Sequence, residues 1–251
     1  MAAPYRPYAL SEVKAEADDV RSFVFTPADG QPVPPFKAGQ FFMLRISDVP
    51  GLKPPMRSYS AARAYTADKL RFGIKLHGPF THALFDKKKG DKIEISGPYG
   101  FFTLAGNEAG GAGGPAADSA ATAPIVLLAA GIGITPLLCM AEELAGGKDP
   151  RSAILVYSNR ELNQVPFIPL LEELQAANPN FKFIHTITCD PAPEGWDGEC
   201  GRISAGMLQK HGVDFGLSHF YFCGPKAFND AMQQMLEGAG VAKERIHKEA
   251  W

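Results

Sequence analysis

The chain has 251 residues, 45% of them hydrophobic and 21% charged, with a formal net charge of −2. That length suggests one large domain or two ordinary ones, and a balanced, slightly negative composition offers little to a polyanion, which excludes nucleic acid from the expected partners. No apolar stretch approaches the roughly 18 to 20 residues that span a bilayer, and Met1 to Leu10 lacks the continuous apolar core of a secretory signal, so no membrane span and a cytoplasmic protein are expected.

In chain order, residues up to about 104 carry short β-patterned runs at Ser22 to Thr26, Gln40 to Ile46, Leu70 to Leu76 and Lys92 to Ile95, separated by Pro and Gly turns. That spacing predicts a small antiparallel barrel. Within it stands Arg57-Ser58-Tyr59-Ser60. Arg57 offers a planar fork of donors suited to a phosphate or pyrophosphate, Tyr59 a flat ring, and Ser60 a short hydroxyl. On a strand over 56 to 62, alternation puts Arg57 and Tyr59 on one face and Ser58 and Ser60 on the other. A twist at the strand end then has to bring both faces to one ligand. By themselves, these four residues also fit a surface arginine beside a core tyrosine. The next run, Gly73 to Leu84, ends its apolar alternation in Gly78-Pro79-Phe80. Thr81 reads as a helix N-cap, so the amides after it could face a diphosphate; a plain loop and capped helix fit the same residues.

The stretch Ala105 to Ala123 is rich in Gly, Ala and Ser and cannot supply a core, so it reads as a flexible linker between domains at 1–104 and 124–251. Beyond it, apolar runs alternate with helical patterns: Ile125 to Ala130, Thr135 to Leu144, Ala153 to Tyr157, Pro166 to Ala176, Lys182 to Thr188, Ala205 to Lys210, Phe220 to Cys223 and Lys226 to Ala239. Alternation of this kind builds a parallel sheet with ligands at the carboxyl ends of its strands. Gly131-Ile132-Gly133 follows the first strand and opens a helix, an arrangement that lets backbone amides approach a pyrophosphate. The third glycine of the usual dinucleotide fingerprint is replaced by Pro136, and the second strand runs into Ser158-Asn159-Arg160 with no acidic residue to hold a ribose. A standard Rossmann dehydrogenase is disfavoured.

Cys139, Cys189, Cys200 and Cys223 include no C-x-x-C pair, so neither a zinc site nor a plant-type iron-sulfur pattern is present, and no metal is expected. Free thiols are favoured over a Cys189–Cys200 disulfide. Cys223, at the end of a strand, has a functional reading as well as that of a small buried side chain.

In their order, Arg57 to Ser60, Gly78 to Thr81, Gly97-Pro98-Tyr99-Gly100, Gly131 to Pro136, Tyr157 to Arg160 and Cys223-Gly224-Pro225 resemble the ferredoxin-NADP reductase superfamily over nearly the whole chain. The resemblance implies a six-stranded antiparallel flavin-binding barrel followed by a parallel-sheet nucleotide-binding domain. It implies that Arg57 binds the flavin diphosphate, that Tyr59 stacks on the isoalloxazine beside Ser58, and that Ser60 hydrogen-bonds near N5. Ile74, Lys75 and Leu76 would line the pyrimidine edge, with Gly78, Phe80 and Thr81 completing the phosphate site. Gly131, Gly133, Thr135 and Pro136 would receive the pyridine nucleotide, and Cys223, Gly224 and Pro225 the nicotinamide. Tyr59, Ser60 and Cys223 are the residues placed at the chemistry. Trp251 would cover the flavin's other face, or fray as the final residue.

The implied reaction moves a hydride from NADH or NADPH to FAD, which is favoured over FMN by analogy, with reacting atoms about 3 to 3.5 Å apart. Ser158 and Arg160 could form half of a 2′-phosphate site, but Glu161 follows and no further basic residue comes before Lys182, which tilts the reading toward NADH. The implied acceptor is a small carrier protein, a ferredoxin, flavodoxin or oxygenase component. Lys87-Lys88-Lys89 is a possible docking patch or a solvated turn. Diaphorase, flavin-reductase or ferric-reductase activity on small acceptors is the alternative.

Overall fold

A computed structural model describes residues 3–105, 122–146, 149–162, 165–188 and 194–249. The chain divides into two units, Met1–Thr103 and Leu104–Trp251. The first comprises β1 (Arg6–Ala17), β2 (Val20–Pro27), β3 (Phe41–Arg45), β4 (Met56–Ser60), β5 (Leu70–Lys75), α1 (Gly78–Phe85) and β6 (Lys92–Tyr99). The strands form one antiparallel sheet in the order β4-β3-β6-β1-β2-β5. Just past β4, the Ala62 N–H donates to the Arg71 carbonyl of β5 at 2.8 Å, and Arg71 Nε donates back to the Ala62 carbonyl at 2.8 Å. The two outer strands are thereby bridged and the sheet curls closed, which leaves fewer unpaired edges.

Period-two patterning explains what fills this sheet. Phe23 and Phe25 on β2, Phe42 and Leu44 on β3, Phe72 and Ile74 on β5, and Ile93 and Ile95 on β6 are all buried. The Phe72 ring lies 6.2 Å from Phe25 and 6.0 Å from Phe42, the latter edge-on. Each such side chain contributes about 1.5–3 kcal/mol by leaving water. The Arg45–Glu94 pair across β3 and β6 is a third exposed on both sides, and pairs of that kind contribute about 1 kcal/mol or less. The aromatic layer therefore dominates. β1 was not visible in the sequence: the apolar phase set by Tyr8 and Leu10 passes to the charged Glu12, Lys14 and Glu16, and two register shifts interrupt its pairing with β2.

The second unit contains β7 (Ile125–Ala130), a 3-10 turn (Gly131–Gly133), α2 (Ile134–Ala145), β8 (Ala153–Asn159), α3 (Ile168–Ala177) and β9 (Phe181–Ile187). It continues through β10 (Glu199–Cys200), α4 (Ala205–Lys210), β11 (His219–Cys223), α5 (Lys226–Gly238), a second 3-10 turn (Lys243–Arg245) and β12 (Ile246–Glu249). All its strand pairs are parallel, in the order β10-β9-β8-β7-β11-β12. The chain enters at the centre, winds outward through β8 and β9, then returns to pair β11 with β7. The strand order thus reverses between β7 and β11, and open α/β sheets bind ligands at the carboxyl ends beside such a reversal. One face packs Val126, Leu128, Phe220 and Phe222 against Met232 and Leu236 of α5, while α2 packs across β7, β8 and β11. Most of the expected 105–123 linker falls on residues 106–121, outside the described residues.

Candidate functional site

In the first unit, β4 and α1 bring two of the predicted segments together. The rings of Tyr59 and Phe80 stack with centroids 6.0 Å apart at 28°. Burial pushes the Tyr59 phenol up to about 12 against the smaller opposing pull of the nearby Arg57 charge, so Tyr59 is a neutral ring at physiological pH. Arg57 is exposed, with a contact of 3.5 Å from Nη1 to the Met56 carbonyl. Ser58 is exposed and Ser60 half-buried on the same strand.

One expectation is corrected here. Thr81 is not the N-cap: α1 begins at Gly78, whose φ of +77° suits glycine, and His77 occupies the cap position. Thr81 is buried in the first turn, where its hydroxyl accepts from the His77 N–H at 2.7 Å and donates to the Gly78 carbonyl at 3.0 Å. The helix thus starts four residues upstream of the expected position, with Pro79 in the first turn, where its missing N–H costs nothing. At the end of β5, Ile74 is buried, the Lys75 ammonium pairs with Asp19 at 3.1 Å, and the Leu76 N–H donates to the Asp19 carbonyl at 2.7 Å. The residues of this unit fit a flavin diphosphate: an exposed guanidinium, a neutral ring fixed beside it, and a glycine-led helix start. Of the lysine triplet, Lys87 is spoken for by Asp48 at 2.5 Å, while Lys88 and Lys89 are exposed.

In the second unit the glycine turn and the Cys-Gly-Pro turn are in direct backbone contact. A β-carbon on Gly133 would lie 2.3 Å from the Cys223 carbonyl oxygen and 2.7 Å from the Gly224 nitrogen. One on Gly224 would lie 2.6 Å from the Phe228 ring and 3.0 Å from Ala130. Both positions therefore require glycine. Gly131 has φ +54° with nothing within 4 Å of where a β-carbon would stand, so its turn borders open space. Its carbonyl accepts from the buried Tyr157 hydroxyl at 3.0 Å and from the Ile134 N–H. Thr135 and Pro136 are buried in the first turn of α2, where Thr135 Oγ1 donates to the Ile132 carbonyl at 3.2 Å. A close-packed glycine turn with space above it is a fit for a pyrophosphate.

Cys223 is buried at the end of β11 and, like Cys139 and Cys200, is in no disulfide; Cys189 lies outside the described residues. The register sets Cys223 beside Glu249 of β12, with side chains of paired residues on one face. Burial raises the Glu249 carboxyl above the usual carboxylate range. Composition gave no signal for Glu249, because β12 has no apolar pattern and is a strand only through its pairing with β11. Tyr157, named in the sequence only as the start of the Tyr157 to Arg160 motif, braces the glycine turn; missed altogether was His185, stacked on Tyr157 at 6.0 Å and met edge-on by Trp196 at 5.0 Å. Ser158 is buried at the end of β8. Arg160 beyond it is exposed, 3.8 Å from the Glu161 carboxylate. Lys182 pairs with Ile154, four residues below Ser158, so it sits about 13 Å toward the opposite end of the sheet. Pro225 precedes α5. Trp251 lies outside the described residues. Among the described residues no group of three or more His, Cys, Asp or Glu could hold a metal, and no helix is long and apolar enough to cross a membrane.

Comparison with known proteins agrees with both halves. Residues 7–104 match the model of the oxidoreductase FAD-binding domain, and residues 127–234 that of the oxidoreductase NAD-binding domain. The chain is 30% identical to a flavohemoprotein of Rhodopirellula baltica over 97% of its own length and 60% of the relative's. It thus spans about three fifths of the length of such curated relatives. A crystal structure of flavohemoglobin from Malassezia yamatoensis with bound FAD and haem superposes with a TM-score of 0.78 at 28% identity, covering 98% of this chain and 59% of that one. The flavohem-like FAD/NAD-binding domain of nitric oxide dioxygenase from Vibrio cholerae shares the fold, with a TM-score of 0.83 at 24% identity and 98% coverage of both chains. With a flavin-type barrel ahead of a glycine turn locked to Cys223, and both domain models matched in that order, the chain belongs to the oxidoreductases that carry an FAD-binding domain followed by an NAD-binding domain.

Proposed function

We propose that this chain takes a hydride from reduced nicotinamide nucleotide onto FAD and passes the electrons to a protein acceptor, an oxygenase component, ferredoxin or flavodoxin. Bound FAD supplies the chemistry that turns a two-electron donor into a source of single electrons. The chain's own residues supply position. Arg57 holds the diphosphate through its exposed fork, Tyr59 supports the ring system from its stack on Phe80, and Ser58 and Ser60 present short hydroxyls beside it. Ile74, Lys75 and Leu76 line the ring's edge, and Gly78, Phe80 and Thr81 complete the phosphate site. Gly131, Gly133, Thr135 and Pro136 receive the nucleotide's pyrophosphate end, while Cys223, Gly224 and Pro225 border the nicotinamide. Glu249 keeps a proton-prone carboxyl next to Cys223.

The observation that carries this reading is the contact of Gly133 with the Cys223–Gly224 backbone. It joins a phosphate-type turn to a thiol and a carboxyl in one rigid piece. NADH is the preferred donor, because Arg160 is offset by Glu161 and Lys182 lies at the wrong end of the sheet. A protein acceptor is favoured by the haem bound in the flavohemoglobin relative. The test is anaerobic titration of the yellow holoprotein with each nucleotide, followed by steady-state reduction of ferricyanide and of candidate carriers at low and high salt. Bleaching by NADH at lower concentration than by NADPH, with carrier reduction that weakens as salt rises, is expected. Salt-insensitive turnover of small acceptors alone would remove the carrier.

A further inference from the structure

The buried stripe of α5 consists of Asn229, Met232 and Leu236, spaced i, i+3, i+7. Core-facing helix stripes are apolar, so an asparagine at the first of these positions needs a reason. Asn229 is only 7% exposed, and its carboxamide is half used: Nδ2 donates to the Glu249 carbonyl at 2.9 Å, while Oδ1 is buried with no hydrogen-bond partner among the described residues. A leucine would fill the stripe without stranding a buried acceptor. What the asparagine adds is the tie to Glu249.

That tie falls at an edge of the sheet. β12 is four residues long, stands at the sheet's edge and, among the described residues, is paired only with β11. A slip of one residue would turn the Glu249 carboxyl to the opposite face, away from Cys223. α5 follows directly on Cys223-Gly224-Pro225, and the Asn229 N–H donates to the Pro225 carbonyl at 3.0 Å. The carboxamide is thus fixed to the same turn that ends in Cys223, and it reaches across to the last carbonyl of β12. We infer that Asn229 is a positioning residue that holds the end of β12 in register, so that Glu249 stays opposite Cys223 during flavin reduction. Asn229 acts through Glu249, and the inference rests on the function proposed above.

The test is N229L in the FAD-loaded full chain, mixed anaerobically with NADH and with NADPH in a stopped-flow spectrometer. Flavin reduction should slow by about ten- to a hundredfold, as misplacements of about an ångström do, with nucleotide affinity changed by less than about twofold. The melting midpoint should change little, since the unpartnered Oδ1 goes together with the donor to the Glu249 carbonyl. In an E249Q background, N229L should slow reduction by less than about twofold more, because two residues acting as one unit are not additive. Reduction of N229L at the wild-type rate overturns the inference. So does a full effect persisting in E249Q, or a lowered midpoint with unchanged rate. Wild-type holoprotein that neither nucleotide bleaches overturns the proposed function itself. Should N229L fail to fold, N229D keeps the shape, removes the N–H donor and is judged by the same rates.

Discussion

A β-carbon at position 133 would press on the Cys223 carbonyl, a backbone atom with no rotamer to escape into. G133A therefore has to push the 3-10 turn away from β11, at a cost of about 1–3 kcal/mol. G131A meets no atoms and suffers only its positive φ, about 1 kcal/mol. Urea unfolding should rank the two in that order, and NADH titration should show the larger loss of affinity for G133A; the reverse ranking would separate the two turns. On the flavin side, R57A removes a charge-assisted contact of about 1.5–3 kcal/mol. FAD affinity, read by flavin fluorescence, should fall accordingly; unchanged affinity would remove Arg57 from the phosphate site. Arg57 and Gly133 were legible in the sequence because their chemistry is local to a short motif. Glu249 and Asn229 were not, since each acquires its neighbour only when β12 and α5 settle against β11.

Among the elements, the turn after β7 depends on its neighbour β8. Y157F deletes the hydroxyl that donates to the Gly131 carbonyl at 3.0 Å, a loss of about 1 kcal/mol that should appear in the urea midpoint and in weaker NADH binding, with the flavin content unchanged. Equal nucleotide affinity in Y157F would show that the Ile134 N–H alone holds that carbonyl. The parallel sheet was readable because strands buried on both faces are continuous apolar runs, as in Ile125 to Ala130. β1 was hidden for the converse reason: Glu12, Lys14 and Glu16 are good helix formers, and only pairing with β2 makes them a strand. The start of α1 was misplaced because Thr81 satisfies the pattern of a cap while its hydroxyl serves the His77 N–H from inside the first turn.

For the whole molecule, pH bears on stability through half-buried histidines. Burial lowers His185 to about 4; burial, then the neighbouring His219, lowers His247 to about 4. His219, stacked on His247 with 3.2 Å between ring nitrogens, is lowered by burial and by the charges of Arg245 and Arg151. In the unfolded chain His185 and His247 take up protons near 6.5, whereas in the folded chain they do not until about 4. The unfolded state binds more protons in that window, so stability falls as pH drops from about 6.5 toward 4. Glu249 opposes this with the raised carboxyl of a single residue. The urea midpoint should decline between pH 7 and 5, and H185F should flatten part of the decline; a level midpoint would show the rings already charged in the folded protein. The Gly133 contact carries a lesson for anyone retooling this protein. Two loops cast as a single piece cannot be reshaped one at a time without cracking the joint. Changing which dinucleotide the chain accepts is therefore work for the ground around Arg160 and Glu161, both of which are exposed.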